Sequence, residues 1–339
     1  MAGTTPNVRW GIISTADIAG KAFIPAVRES AGGQIVAVGS RTREKAAQFA
    51  ARHEIPRAYG SYDAVLEDPE VEAVYIGLPN TMHAEWIARA AAAGKHVFCE
   101  KPMTMTVAEA EASVAACRKA GVLLVEAFVF RFHRQARVIR RLLDEGAIGP
   151  VRHADAHFHY AFAGDPSNIR LRPEVGGGAL MDVGCYALHW ARFVMGEAPE
   201  SVAAQAVPHP SGVDATTTAI LRFSGGRTAN ISVGLSMQGG QGGRAYGAQG
   251  VLEATMPFHP RPGARVYVRR GNNTEDHSVE SMPQYPFTDA VTAFQAAVRG
   301  EAPLPFDTMA DILAQARTVV ATRTAAAEGR WVSLAEALA

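Results

Sequence analysis

Three short stretches carry side chains able to do chemistry. In "FCEKPMT", Glu100 and Lys101 precede Pro102 at the end of an apolar run. A residue before proline is driven out of the helical region, so Lys101 is either an ammonium aimed from a strand tip and partly desolvated, or a surface lysine. In "GGGALMDVGCYALHWARF", Asp182, Tyr186 and His189 fall at i, i+4 and i+7. On a helix these share one stripe, which is either a solvent face or a functional one. It lacks the Lys and Glu usual for solvent. In "WGIISTADIAG" an apolar run gives way to Ser14, Thr15, Ala16, Asp17 and Ile18 before a helical stretch.

That third stretch sits where a dinucleotide-binding strand would meet its helix. The glycines of that fingerprint serve a tight turn, close approach of backbone to pyrophosphate, and close helix packing. Here Ser14, Ala16 and Ala19 stand in their places, and all are small. Backbone N–H groups at a helix start can hold an anion without any glycine, and Ser14 or Thr15 would cap the helix. Taken alone, the letters also fit an ordinary strand-to-helix turn. At the end of the second strand come Ser40, Arg41 and Thr42, with Lys45 one turn on. Hydroxyls with two cations suit the 2′-phosphate of NADP better than the ribose hydroxyl of NAD; a solvated basic helix start is the alternative. Leu78, Pro79 and Asn80, after the strand "AVYIGL", and then His83 and Glu100 complete the candidate cofactor contacts.

Short β-branched runs alternating with Ala-rich amphipathic stretches must position these groups. "VRWGIIS", "QIVAVGS", "AVYIGL", "HVFCE" and "VLLVEAF" read as strands. Helices are expected over Ile18–Glu29, Arg43–His53, His83–Ala93 and Val107–Ala120. This is an α/β pattern, a doubly wound parallel sheet with ligands at the carboxyl ends of its strands. From Arg131 the rhythm changes. After a helix over Gln135–Asp144, "VRHADAHFHYAF" alternates with period two, and strands follow at "SVAAQAVP", "ATTTAILRF", "TANISVGLS", "GVLEATM" and "ARVYVRR". They predict a C-terminal α+β domain with a large, mainly antiparallel sheet. "SMQGGQGGRAYGAQGV" reads as a Gly-rich turn, and helices at Phe287–Val298 and Thr308–Ala327 close the chain. The domains are expected at 1–127 and 128–339.

Composition removes several function classes. The 339 residues hold 33 basic and 33 acidic side chains, with no basic block interleaved with aromatics, so nucleic acid is not an expected partner. No apolar run approaches the ~18 residues that span a membrane, and no signal peptide pattern opens the chain, which places it in the cytoplasm. Cys99, Cys117 and Cys185 have no metal-like spacing and read as small buried thiols. His153, Asp155, His157 and His159 alternate along one strand face, but four ligands two apart spread over ~20 Å and cannot all reach one ion. No metal is expected.

Taken together, the altered glycine loop, "EKP", "EAFVFRFH" at Glu126–His133 and "NIRLRPEVGGGALMDVGCY" at Asn168–Tyr186 resemble the glucose–fructose oxidoreductase, inositol dehydrogenase and rhizopine catabolism family, Gfo/Idh/MocA. In detail they are similar to its subgroup of NADP-dependent D-xylose dehydrogenases, dihydrodiol dehydrogenases and glucose–fructose oxidoreductase. The resemblance implies a Rossmann domain, a C-terminal open-faced sheet, and homodimers or homotetramers built through that sheet. It implies Lys101 and Tyr186 beside a nicotinamide, Tyr186 as general acid/base tuned by Lys101, and Asp182 orienting the hydroxyls of a sugar or polyol. Arg131, His133, Tyr160, Arg172 and His189 are further candidate substrate contacts. Two positions depart from the subgroup: Arg134 stands where Pro is frequent, and His189 where Asp or Asn is. A sugar–sugar oxidoreductase that never releases its nucleotide, and a non-catalytic nucleotide sensor, are the competing readings. Retention of both Lys101 and Tyr186 counts against the sensor, and the absence of Tyr-x-x-x-Lys against short-chain dehydrogenase chemistry.

Overall fold

The structure, a computed structural model, describes residues 7–338. The chain divides into two compact units. The first takes the chain up to Thr104, Glu109–Phe132 and Pro283–Ile312; the second takes Met105–Ala108, His133–Met282 and everything from Leu313. A single division after residue 127 therefore does not describe the chain, because residues 283–312 return to the first unit.

The reason lies in the core of that unit. Its sheet comprises β1 (Val8–Ile13), β2 (Gly33–Gly39), β3 (Arg57–Tyr59), β4 (Ala73–Ile76), β5 (His96–Cys99) and β6 (Leu124–Glu126). All pairs are parallel, in the order β3-β2-β1-β4-β5-β6. Strands buried on both faces need helices over both. Those in sequence order are α1 (Ile24–Glu29), α2 (Arg43–Arg52), α3 (Asp63–Glu67), α4 (His83–Ala92) and α5 (Val107–Ala120). The late helix in this unit presents Phe287, Val291 and Phe294 to the core, where Phe294 lies 5.0 Å from Trp10 and edge-on to Phe98. Phe23 stacks on Tyr75 at 4.0 Å in the same cluster. Such ring pairs add about 0.5–1.5 kcal/mol each beyond their burial, enough to recruit a helix from far along the chain. Glu29 accepts the backbone N–H of Gln284 and the hydroxyl of Thr288 at the start of that helix.

Five strands of this sheet follow the sequence reading; β3 and α3 are additions. The helix expected over Ile18–Glu29 is two pieces, a π-helical turn at Ala19–Phe23 and then α1.

The second unit contains α6 (Arg134–Asp144), α7 (Cys185–Met195) and a sheet of β7 (Val151–Ala161), β8 (Ser201–Pro208), β9 (Asp214–Arg222), β10 (Thr228–Gly234), β11 (Ser236–Gly247), β12 (Val251–Ala254), β13 (Val266–Arg270), β14 (Asn273–Asp276) and β15 (Val332–Ser333). The order is β14-β13-β12-β11-β7-β10-β9-β8-β15, antiparallel throughout except where β10 runs parallel to β7. α7 lies on one face, against β7 and β10. Ala154 and Ala156 of β7 are buried, while His157, Asn230, Thr218 and Ile220 are exposed. The final helices are α8 (Thr288–Val298) and α9 (Thr308–Glu328).

The Gly-rich stretch from Ser236 is β11, a twelve-residue strand paired with both β7 and β12, and not a turn. Its glycines make room for rings. A Cβ on Gly242 would meet the His157 ring at 2.5 Å, and one on Gly243 would meet Trp190 at 2.5 Å. All three cysteines are buried free thiols, and burial pushes that of Cys99 well above its ordinary value. No helix of the described residues is long and apolar enough to cross a membrane.

Candidate functional site

In the first unit the order of successive strands across the sheet reverses between β1 and β4, the switch point at which doubly wound sheets open a crevice beyond the strand ends. Ser14 leaves β1 there with φ 155°, a backbone setting that favours glycine, at the very place of the fingerprint's first glycine. Its hydroxyl accepts the N–H of Ala16 at 2.9 Å, closing a tight local turn. Ser14 and Thr15 do not cap the following helix: Ile18, which precedes the π-helical turn, has no side-chain cap. Thr15 Oγ1 reaches Ser40 Oγ at 3.4 Å, which ties the β1 turn to the tip of β2. Asp17 pairs with Lys21 at 2.6 Å on the exposed rim, and Ile18 is exposed as well.

At the β2 tip Ser40 is buried and Arg41 and Lys45 are exposed, while Thr42 caps α2 by accepting the Lys45 N–H at 3.3 Å. The basic pair thus stands free of the fold beside a hydroxyl cluster. These features fit a dinucleotide: a turn with the first glycine's backbone, at a switch point, next to cations on the second strand.

The loop after β5 is held from three sides. Glu100 accepts the Tyr75 hydroxyl at 2.7 Å and the Lys101 N–H at 3.4 Å, and Glu126 accepts the Met103 N–H at 2.8 Å. His83 is completely buried, with one ring nitrogen 2.8 Å from the Leu78 carbonyl and the other 3.0 Å from that of Pro102. It therefore clamps the loops after β4 and β5, including Pro79 and Asn80, and is not itself open to a ligand. Lys101 is half-buried, and its bond to Pro102 is cis.

In the second unit the three glycines lead into a π-helical turn, Leu180–Gly184, that continues as α7. A Cβ on Gly177 would meet the carbonyl oxygens of Ile169 and Arg170 at 2.6 Å, so only glycine lets these segments touch. The Gly178 N–H bonds the Arg170 carbonyl at 2.9 Å, and Asp214 accepts the Leu180 N–H at 2.7 Å. The outcome is a fixed carboxylate. Asp182 accepts the Tyr160 hydroxyl and, at 3.0 Å, the Nε–H of Arg170. Burial, and then the Asp182 charge, push the Tyr160 phenol well above its ordinary range, so it remains a donor.

Tyr186, 3% exposed, lies against Phe158 and Phe258, with its hydroxyl 3.2 Å from Nε2 of His259. His189 belongs to no polar stripe, since every residue from Cys185 to Met195 is buried and His189 completely so. The wider π-helical turn and the burial of the whole helix defeat the simple i, i+4, i+7 count.

Five other candidates are tied up locally. Arg172 pairs with Glu174 at 2.7 Å, whereas Arg170 is the arginine on Asp182. Arg131 meets Asp311 at 3.4 Å and lies over Phe306, and His133 is buried and accepts the Gln135 N–H at the start of α6. His153 bonds Asp155 and Thr228, and His159 bonds Ser232. Among the described residues no three His, Cys, Asp or Glu are grouped to hold a metal. Sequence reasoning missed Arg170 and His259. Nothing local separates Arg170 from Arg172, and His259 sits in "MPFHPRPG", a segment without periodicity.

Two family models cover this arrangement. Residues 8–128 match the oxidoreductase family with NAD-binding Rossmann fold, and residues 136–253 match the GFO/IDH/MocA C-terminal domain. The chain belongs to the Gfo/Idh/MocA oxidoreductase family. Relatives span nearly its whole length. A D-xylose 1-dehydrogenase (NADP(+)) of Haloferax volcanii is 35% identical, over 87% of this chain and 90% of its own. The aldose–aldose oxidoreductase of Caulobacter crescentus, solved with glycerol, superposes with a TM-score of 0.87 at 31% identity, covering 96% of this chain and 99% of that one. A 3-ketoreductase from Actinomadura kijaniata, solved with NADP and TDP-benzene, gives 0.84 at 34% identity, over 94% and 98%. As a Gfo/Idh/MocA member, the chain is an NAD(P)-binding oxidoreductase acting on sugar-like substrates.

Proposed function

We propose that this protein is an NADP-preferring dehydrogenase or reductase of a sugar or polyol, with Tyr186 as the general acid/base. The observation that carries this reading is the buried Tyr186 hydroxyl, set on the same helical run as a carboxylate, Asp182, that two donors hold in place. Asp182 orients the sugar hydroxyls. Tyr186 takes the proton of the reacting hydroxyl in oxidation and returns it in reduction. A free phenol ionises near ~10, too high for an efficient base at neutral pH, and the Lys101 ammonium favours the phenolate. The nicotinamide, when bound, accepts or donates the hydride. Arg41 and Lys45 receive the 2′-phosphate, and the N–H groups of the Ser14–Ile18 turn receive the pyrophosphate.

The test is a screen of NADP⁺ and NAD⁺ reduction with aldoses and polyols, with NADPH oxidation by ketosugars alongside. A positioned acid/base contributes about 10²–10⁴-fold, so Tyr186→Phe should lower kcat by that factor while nucleotide binding persists. Near-normal turnover in this variant would remove Tyr186 from the mechanism. The superposition on an aldose–aldose oxidoreductase favours a second reading, hydride exchange between two sugars on a retained nucleotide. Nucleotide that co-purifies and resists gel filtration would select it. Assembly as a homodimer or homotetramer through the exposed face of the nine-stranded sheet is part of the same proposal.

A further inference from the structure

Tyr186 is nearly sealed, yet an acid/base must exchange a proton with water in every turnover. Its hydroxyl lies 3.2 Å from His259 Nε2, and the two rings meet edge to face at 5.0 Å. His259 is only half-buried. Its backbone is fixed from below: Gln241 of β11 accepts the N–H of Phe258 at 2.9 Å and that of His259 at 3.1 Å through one side-chain oxygen. Phe258 is completely buried, stacked on Phe158 at 5.5 Å and edge-on to Trp190. A segment with no helix or strand of its own is thereby anchored at the residue before the imidazole. An imidazole changes charge near ~6.5, close to neutrality, so it can accept a proton from its partner and release it to water at ordinary pH.

We propose that His259 is the proton relay of Tyr186, an inference that rests on the acid/base reading given above. In the oxidative direction the substrate O–H bond breaks and its proton passes to Tyr186 Oη. Beforehand the phenolic O–H has broken and that proton has formed an N–H bond at His259 Nε2, which leaves the phenolate that accepts the substrate proton. The C–H electron pair leaves as hydride to the nicotinamide, a carbonyl forms, and the imidazolium releases its proton to water. Reduction reverses each transfer. Tyr186 faces His259 from α7; Phe158 of β7 and Gln241 of β11, which also pack there, bring no ionisable group.

The experiment compares wild type, Tyr186→Phe, His259→Phe and His259→Gly with NADP⁺ and whichever of D-xylose, D-glucose or glycerol is oxidised fastest, across a pH series. Added imidazole is the rescue probe, and NADPH fluorescence checks nucleotide binding. His259→Phe is expected to lower kcat at neutral pH by about tenfold or more, with little change in KM, and to move the acidic limb of the profile toward higher pH. Imidazole should restore His259→Gly. A fully active His259→Phe with an unmoved profile overturns the relay; so does a loss of kcat that imidazole does not repair. If Tyr186→Phe stays active the underlying acid/base reading fails, whereas an impaired Tyr186→Phe beside normal His259 variants defeats the relay alone. Independently of any substrate, spectra of ¹⁵N-histidine protein should show the His259 titration shifting in Tyr186→Phe, and an unshifted titration counts against the pair.

Discussion

Tyr160→Phe separates a hydrogen bond from the ring that carries it. The phenylalanine keeps the contacts with Phe158 and Phe162, at 6.3 and 6.5 Å, and removes only the hydroxyl given to Asp182. A hydrogen bond to a charged group contributes about 1.5–3 kcal/mol. The Asp182 side chain is 15% exposed, so water replaces little of the loss, but the Arg170 partner, 39% exposed, remains. The lower half of the range, about 1.5–2 kcal/mol, is expected, which for a unit of roughly 150–250 residues is about 3–8 °C in Tm. A freed carboxylate also turns, so KM for the sugar should rise while nucleotide binding stays. The alkaline limb gives the sign. Burial and Asp182 raise the folded phenol above the ~10 of the unfolded chain, so this stability is complete below about pH 10 and declines above it, as the unfolded form ionises first. Differential scanning calorimetry at neutral and alkaline pH reads both effects. An unchanged Tm and KM would refute the claim that Tyr160 fixes the carboxylate.

Replacing Arg41 and Lys45 together by alanine should raise KM for NADP⁺ by about 10–100-fold, the worth of one lost charge-assisted hydrogen bond, and leave that for NAD⁺ unaltered in steady-state kinetics. At Asp68 burial opposes ionisation, but the N–H of Glu70, the Tyr59 hydroxyl and Arg57 at 2.7 Å outweigh it and hold the carboxyl below its ordinary value. Its stabilisation is present above ~3.9 and lost as pH falls through the lower folded value, so urea melts of Asp68→Asn should show weaker stability at neutral pH and a flatter acid limb. Ile220→Glu, on the exposed face of β9, should shift light-scattering mass toward monomer without altering Tm by more than about 2 °C, since surface changes seldom exceed ~0.5 kcal/mol.

The parts of this fold legible in the sequence are those in which one strand or helix decides its own pattern. β1, β2, β4, β5 and β6 are apolar because both faces are covered, and β7 alternates because one face is. What stayed hidden depends on a neighbour. β11 reads as a turn because its glycines answer rings on other elements, His157 and Trp190, which no local pattern can disclose. α8 joins the first unit for the sake of Trp10, nearly three hundred positions earlier. Tyr186 and Asp182 stand out in the sequence through the glycines that precede them and the company they keep, and they remain the proposed site. Arg170 and His259, their partners, were not, since an arginine and a histidine in irregular segments take their meaning only from what lies across from them.

One local feature recurs at both ends of the candidate chemistry. The run after the Ser14 turn and the run carrying Asp182 each begin as a π-helical turn, closed by the Ile24 N–H on the Ala19 carbonyl and by the Cys185 N–H on the Leu180 carbonyl. Such a turn accommodates one more residue than an α-helical one, at poorer hydrogen-bond geometry, and it is found mostly where function requires it. At the first site it buries Ala19, the third small residue of the proposed nucleotide turn, completely. At the second it lies between the bend at Gly178, whose N–H bonds the Arg170 carbonyl, and a fully buried α7, with the Leu180 N–H held by Asp214, so the extra residue changes the angular offset between Asp182 and Tyr186 without moving either anchored end. A regular helix would fix that offset by its period alone. The wider turn makes it an independent variable, whereas His189 lies in the core because every residue of α7 does.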